Sequence, residues 1–234
     1  MTINPPSSPP RCPFCDIASA YPPISPTTYA QSKKNDPHPN TVAPPSQPPT
    51  PDAMIGDQAR AHLILSTKTV LAFLDIMPLT RGHVLVAPRG HFEKLGDMGV
   101  GGGREVGQWL PIISRVVMRT LFDEDSKEFN SDWNWNVVQN NGVRAAQQVP
   151  HVHFHIIPRP SDRQASEPGQ VNKSYVMFGR GQREELDDDE GESLARLLRE
   201  ELAREVVRVR NEEGIDLECE FNPVDRKSRE AGKL

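Results

Sequence analysis

Cysteine is scarce in this chain, with three in 234 residues. That is too few for the disulfide framework on which small secreted domains rely. Aromatic residues make up only 6% and hydrophobic residues 36%, which suits one domain with extensions or, at most, two small ones. No apolar run approaches the roughly 20 residues needed to span a bilayer, so no membrane partner is expected. Residues 1–30 lack the basic start and apolar core of a secretory leader, and a cytoplasmic or nuclear location is the expectation. No Lys/Arg run stands out, and the net charge is −5. Sequence-independent nucleic-acid binding, which needs a basic footprint, is therefore not expected.

Proline is abundant but uneven, with 15 of the 23 inside residues 1–51. Residues 1–11 read as a disordered tail. Residues 21–58 are rich in Pro, Ser, Thr and Asn and cannot bury a core, so they read as a flexible insertion, and His38 within it has no assigned role. Between them, CPFCDIASA (12–20) reads as a knuckle leading into a short helical turn. Its Cys-x-x-Cys suggests metal or redox chemistry, although the βαβ context of thioredoxin-like chemistry is missing. Cys219 stands alone and reads as a plain thiol.

Order is expected from about residue 59. AHLILS (61–66) and VLAFLDI (70–76) read as a hairpin turning at Thr67-Lys68, with His62 at the surface. GHVLVAP (82–88) is a third strand and WNWNVVQN (133–140) a fourth. The glycines from Gly99 to Gly103 lack a preceding strand and a Gly-Lys-Ser/Thr ending, so they read as a linker and not a phosphate loop. After them Val106, Trp109, Leu110, Ile113, Val116, Val117 and Leu121 recur at helical steps. A second amphipathic helix follows late in the chain, striped by Leu194, Leu197, Leu198, Leu202 and Val206. Asp187 to Glu190 place negative charge at its start, favourable against the helix dipole. It reads as a docking helix or a dimer contact, and residues 211–234 as a frayed, charged tail. Five strands with one long helix and a C-terminal helix make an α+β domain. The division expected is a catalytic domain over 59–178, joined by 12–20, and a C-terminal extension over 179–234.

The most informative stretch is VPHVHFHIIPRP (149–160), which holds three of the seven histidines. Its β-branched and aromatic residues favour a strand, where side chains alternate faces. His151, His153 and His155 then share one face, with Val152, Phe154 and Ile156 on the other. Pro158 ends the ladder, having no N–H to donate. Three uses fit such a face: a polar surface, a shared metal ion, or nucleophilic catalysis in which neighbours set the tautomer of the attacking imidazole.

Four pieces in order narrow the choice: CPFC (12–15), FLDI (73–76), GHVLVAPRGH (82–91) and VVQNNGVRAAQQVPHVHFHIIPR (137–159). This set resembles the histidine triad (HIT) family, whose signature is His-φ-His-φ-His-φ-φ with φ apolar. His151-Val152-His153-Phe154-His155-Ile156-Ile157 matches it throughout. The resemblance implies a HIT-like fold acting on nucleoside monophosphates that carry a leaving group. It implies His153 as a nucleophile that forms a nucleotidyl-imidazole, with a backbone carbonyl of the same strand fixing its tautomer. It places His155 beside the phosphate and His83 and His151 in support. Asp75 matches an acid that accepts both ribose hydroxyls, since a carboxylate can take two donors. Asn140 and Gln147 match residues near the phosphate or leaving group. Where the family often carries Gly-Gln-Ser or Gly-Gln-Thr, this chain reads Ala146-Gln147-Gln148, so the amide of Gln148 stands where a small hydroxyl would contact the leaving group. Arg144 in the same loop either meets an anionic leaving group or faces solvent.

Some members of the family hold a structural zinc ion. The carried-over ligands are Cys12, Cys15, His91 and His151, two thiolates and two imidazoles in a closed tetrahedral set. The resemblance is strongest to the Hint-like branch, which cleaves purine nucleoside phosphoramidates, and Asn140 favours that branch. The alternative is dinucleoside polyphosphate hydrolysis. Aprataxin-like deadenylation fits poorly, since it would need a basic surface and a C-terminal zinc finger, and the tail offers only Cys219 and no histidine beyond His155. A rival of another class is a nucleotide-binding or scaffold protein with little turnover. Homodimers joined edge to edge are the family habit, and one is expected here.

Overall fold

In a computed structural model of the chain, residues 12–27, 61–122, 133–159 and 183–221 are described. The strands are β1 (Leu63–Ser66), β2 (Val70–Leu74), β3 (Val84–Pro88), β4 (Trp135–Gln139) and β5 (Phe154–Pro158). They form one sheet in the order β1-β2-β3-β5-β4, every neighbouring pair antiparallel. The helices are α1 (Pro13–Ala20), α2 (Val100–Phe122) and α3 (Asp188–Arg208). The α+β architecture read from the sequence is the one that forms.

Both faces of β1, β2 and β3 are covered, which is why LILS, VLAFL and VLVAP are nearly continuous apolar runs. On one face, Ala72, Val84, Val86, Val152 and Ile156 meet Trp109, Ile113 and Val116 of α2 and Leu194, Leu198 and Leu202 of α3. On the other, Leu63, Leu71, Phe73, Leu85 and Ala87 pack with Phe14 and Ile17 of α1 and with Tyr21. The β1–β2 turn is fixed by Thr67, whose Oγ1 accepts from Val70 N at 2.8 Å and Thr69 N at 3.2 Å. β5 pairs with β3 on one side and β4 on the other, with Leu85 and Val138 both opposite His155. The histidine face thus continues the smaller, α1-covered cluster.

The C-terminal helix docks on its own sheet. Asp187 caps it, accepting from Asp189 N at 3.1 Å and Glu190 N at 3.0 Å. Its polar contact with α2 centres on buried Glu205, which accepts from Arg119 at 2.8 Å and also from Arg115 and Arg208. Each buried charge in this cluster thus has an opposite charge against it, without which burial would be costly.

Five expectations are corrected. The glycines are no linker: α2 starts at Val100, so Gly101, Gly102 and Gly103 form its first turn. A Cβ on Gly102 would lie 2.8 Å from Cγ of Met98, a buried residue, so this turn needs a glycine to cover that side chain. The triad strand is shorter than read, with regular pairing only from Phe154. Val152 N is instead bound to Phe92 O at 2.7 Å, although Val152 and Ile156 still share the helix-covered face. The stretch from Tyr21 to Thr27 belongs to the ordered fold: Ile24 bridges Ser66, and Ser66 Oγ donates to Tyr21 O and Pro22 O. His62 is partly buried, with Nε2 3.7 Å from Asp188 Oδ1. Residues 211–221 are not a frayed tail, because Leu217 and Phe221 are buried and the Phe221 ring lies 5.8 Å from Trp109. The predicted tail over 1–11, most of the insertion after Thr27, and residues 222–234 lie outside the described residues.

Candidate active site

The β2–β3 connection presents two site residues together. Gly82 takes φ +78°, a left-handed conformation open to glycine, and a Cβ there would strike Leu121 at 2.5 Å. The chain then turns so that Asp75 N donates to His83 O at 2.9 Å. Asp75 and His83 are both buried. Asp75 Oδ1 accepts from Met77 N at 2.9 Å, and its Oδ2 stands 3.3 Å from His83 Nδ1.

His153 Nδ1 lies 2.6 Å from the carbonyl of His151. A carbonyl only accepts, so Nδ1 carries the proton and Nε2 keeps its lone pair. The edge of Phe14 packs against this ring, with centroids 5.2 Å apart. A second chain of bonds sets His155. Leu79 N donates to His83 Nδ1 at 3.2 Å, which makes His83 Nε2 the protonated nitrogen. That nitrogen is 3.0 Å from His155 Nδ1 and donates to it, leaving the remaining proton of His155 on Nε2. His153 and His155 lie 4.8 Å apart, centroid to centroid. The pair therefore offers one ring nitrogen with a lone pair and one N–H donor.

Burial is the first cause of every shift in this cluster. It pushes His83 down to about 3, with the neighbouring His155, Arg183, Arg159 and His153 adding to the effect. It pushes His155 down to about 4, helped by His153 and Arg183. His153 is lowered by burial and partly restored by its bond to His151 O and by Asp75. Asp75 is raised by burial, against the opposing pull of Met77 N–H, Arg183 and His153. With His83 neutral, the 3.3 Å contact to Asp75 is not an ion pair at neutral pH.

A second group adjoins the first. Cys12, Cys15, His91 and His151 bring four ligand atoms within 4.8 Å of one another and could hold a metal ion. Cys12 Sγ is 3.4 Å from His151 Nδ1, and Cys15 Sγ is 3.4 Å from His91 Nδ1 and 3.7 Å from His151 Nδ1. His151 Nε2 donates to Pro88 O at 2.8 Å, which leaves Nδ1 as the nitrogen available to a metal and fixes the ring. Burial and the neighbouring Cys12 push the Cys15 thiol up to about 11. A thiolate pair here would therefore need a cation. Asp75, His83 and His155 also lie within 4.8 Å of one another, but the facing nitrogens of His83 and His155 are bonded to each other.

The loop before β5 is pinned by Gln147. Its Oε1 accepts from Gly142 N at 2.5 Å and its Nε2 donates to Glu93 O at 2.7 Å, so both ends of the amide serve the backbone. Ala146 adopts the left-handed conformation, φ 64°, where an L side chain is strained by about 1 kcal/mol. Asn140 and Gln148 flank this loop, half-buried and exposed, and neither is hydrogen-bonded to a site histidine. Arg144 is exposed. Asn141, with no role read from the sequence, accepts from Leu95 N at 2.8 Å and so ties the loop to the segment after β3. Phe14 and Arg183 were likewise missed. Phe14 sits inside the quoted Cys-x-x-Cys, whereas no motif marks Arg183.

The HIT domain family model matches residues 57–162. An uncharacterized HIT-like protein of Methanocaldococcus jannaschii is 38% identical over 106 residues, covering 45% of this chain and 74% of that one. The chain belongs to the HIT family. An adenosine 5′-monophosphoramidase of Schizosaccharomyces pombe is 38% identical over 99 residues, 42% of this chain and 65% of that protein. Among solved structures, a zinc-bound histidine triad family protein from Mycobacterium smegmatis is 29% identical. It aligns with a TM-score of 0.45 over 62% of this chain and 86% of that one.

The buried neutral histidines make stability depend on pH. As pH falls through 6.5, the unfolded chain takes up protons at positions 83 and 155, which the folded chain refuses until about 3 and about 4. The unfolded state then binds more protons, so stability falls with falling pH. The raised Asp75 works the other way at the acid end of this window. Urea midpoints should decrease from pH 6.5 to pH 4, and replacing His83 with Gln should flatten that slope. A midpoint constant across this range would contradict the assignment.

Proposed function

We propose that this chain is a nucleotide-binding hydrolase that cleaves purine nucleoside 5′-phosphoramidates through a nucleotidyl-His153 intermediate. The observation that carries the reading is the bond from His153 Nδ1 to His151 O, which leaves Nε2 as an unprotonated nucleophile. Nε2 would attack the α-phosphorus as the bond to the leaving nitrogen breaks and that nitrogen takes up a proton from solvent, to which the water of the second step returns one. Water would then attack the same phosphorus, releasing the nucleoside monophosphate and restoring the imidazole. The Nε2–H of His155, oriented through His83, suits a phosphoryl oxygen on which charge develops. Asp75 retains acceptor capacity for ribose hydroxyls beside its bond from Met77 N. The monophosphoramidase relative, named above, supports the substrate class.

The test is hydrolysis of adenosine 5′-phosphoramidate alongside diadenosine tri- and tetraphosphate. AMP release from the phosphoramidate should fall by about 10³-fold or more in His153→Ala, as when other enzymes lose their nucleophile. Faster cleavage of the dinucleotides would instead assign the polyphosphate reaction. Nucleotide binding without turnover of any of them would favour a binding or scaffold role.

We also infer a structural zinc ion at Cys12, Cys15, His91 and His151. Tetrahedral zinc with Zn–S about 2.3 Å and Zn–N about 2.0 Å gives S···N edges of about 3.5 Å, and three of the four such edges here are 3.4, 3.4 and 3.7 Å. The ion would brace α1 against the segment that holds His153. Purified protein should carry about one zinc per chain, and Cys12→Ser should lose the metal and stability together. Metal-free protein whose unfolding midpoint ignores a chelator would sink the assignment.

A homodimer joined at β4 belongs to the same reading. The β1 end of the sheet is bridged by Ile24, whereas at β4 Val137 and Val138 are 47% and 37% exposed. Apolar side chains at the end of a sheet favour strand addition from a second copy. Sedimentation should give twice the 26.1 kDa chain mass, and Val138→Lys should halve it. A wild-type monomer at micromolar concentration would contradict the dimer.

A further inference from the structure

The family match ends at residue 162, but the chain beyond it comes back to the site. Leu186 N donates to Ile76 O at 2.9 Å, and Arg183 Nη1 donates to Met77 O at 3.2 Å. Met77 N in turn holds Asp75 Oδ1. Residues 183–186 therefore run along the turn that presents Asp75. Their place is fixed from behind, since Leu186 packs against the main core and Asp187 caps α3. The site itself has little positive charge to offer a phosphate: His83 and His155 are neutral near pH 7. The charge of Arg183 is felt at Asp75, His83 and His155 alike.

We propose that Arg183 is a nucleotide-binding residue, delivered by the C-terminal extension, whose guanidinium pairs with the phosphate of a bound nucleoside monophosphate. A planar, permanently charged fork suits phosphate oxygens. The extension is then part of the active site: α3 docks on the sheet, and the four residues ahead of its cap carry a cation to the turn that holds the ribose-binding acid. This inference rests on the nucleotide reading of the site.

Calorimetric titration of the full chain with AMP and with adenosine tests it. Arg183→Ala should weaken AMP roughly tenfold or more, the scale of one charge-assisted hydrogen bond, while leaving adenosine affinity and the thermal midpoint unchanged. Arg183→Lys should recover part of the loss. Unchanged AMP affinity in Arg183→Ala would overturn the proposal. Equal losses for AMP and adenosine would also overturn it, because Arg183 would then only be shaping the Asp75 turn. A wild-type chain that binds neither ligand would overturn the nucleotide reading itself, and this inference with it.

Discussion

The hydrogen bond from His153 Nδ1 to the carbonyl of His151 is the constraint on which the rest of the site depends. At 2.6 Å it commits one nitrogen and frees the other. It exists because the two residues are on one extended segment, and because the carbonyl belongs to a residue whose side chain is itself fixed. His151 donates through Nε2 to Pro88 O and presents Nδ1 to Cys12 and Cys15. The metal-ligand group and the nucleophile therefore share a residue. Loosening the first should disturb the second without touching the phosphate.

The sheet supplies this arrangement by placing β5 between β3 and β4. On the helix-covered face, Val152 and Ile156 are buried against α2 and α3, which holds the register of the triad segment. A slip by one residue would bury the imidazoles among leucines and expose the valine and isoleucine. Among the described residues the opposite face is closed by α1, a short helix with Phe14 against Phe73, His151 and His153, and by Tyr21 after it. Neutral, partly desolvated histidines follow from this enclosure, and two of them form the His83–His155 pair. The chemistry inferred for the site is thus a consequence of where a small secondary core stops.

Much of this was legible in the sequence. Alternating His and apolar residues gave a strand with a chemical face, and the ordered motifs around it carried the family. The Cys-x-x-Cys, His91 and His151 are more than 130 residues apart at their extremes, yet they come together because α1 packs under the strand that ends at Pro88. What was not legible came from tertiary contacts that leave no local pattern. The glycines after Gly99 resemble a linker by composition, but Met98 folds over them. Leu217 and Phe221 sit in a charged segment and look solvated until Trp109 covers Phe221. Gln147 carries a residue type suited to ligand binding, while its amide is occupied by Gly142 and Glu93. Arg183 has no motif at all, because its position is set by α3, 5 residues downstream at Asp188.

The most direct test of the central claim is to trap the intermediate. The chain would be mixed with excess adenosine 5′-phosphoramidate, denatured rapidly at alkaline pH, digested and examined by mass spectrometry. An AMP adduct on the peptide bearing His153, absent from His153→Ala, is the predicted result. Full turnover by the wild type with no adduct, together with activity retained in His153→Ala, would contradict the account.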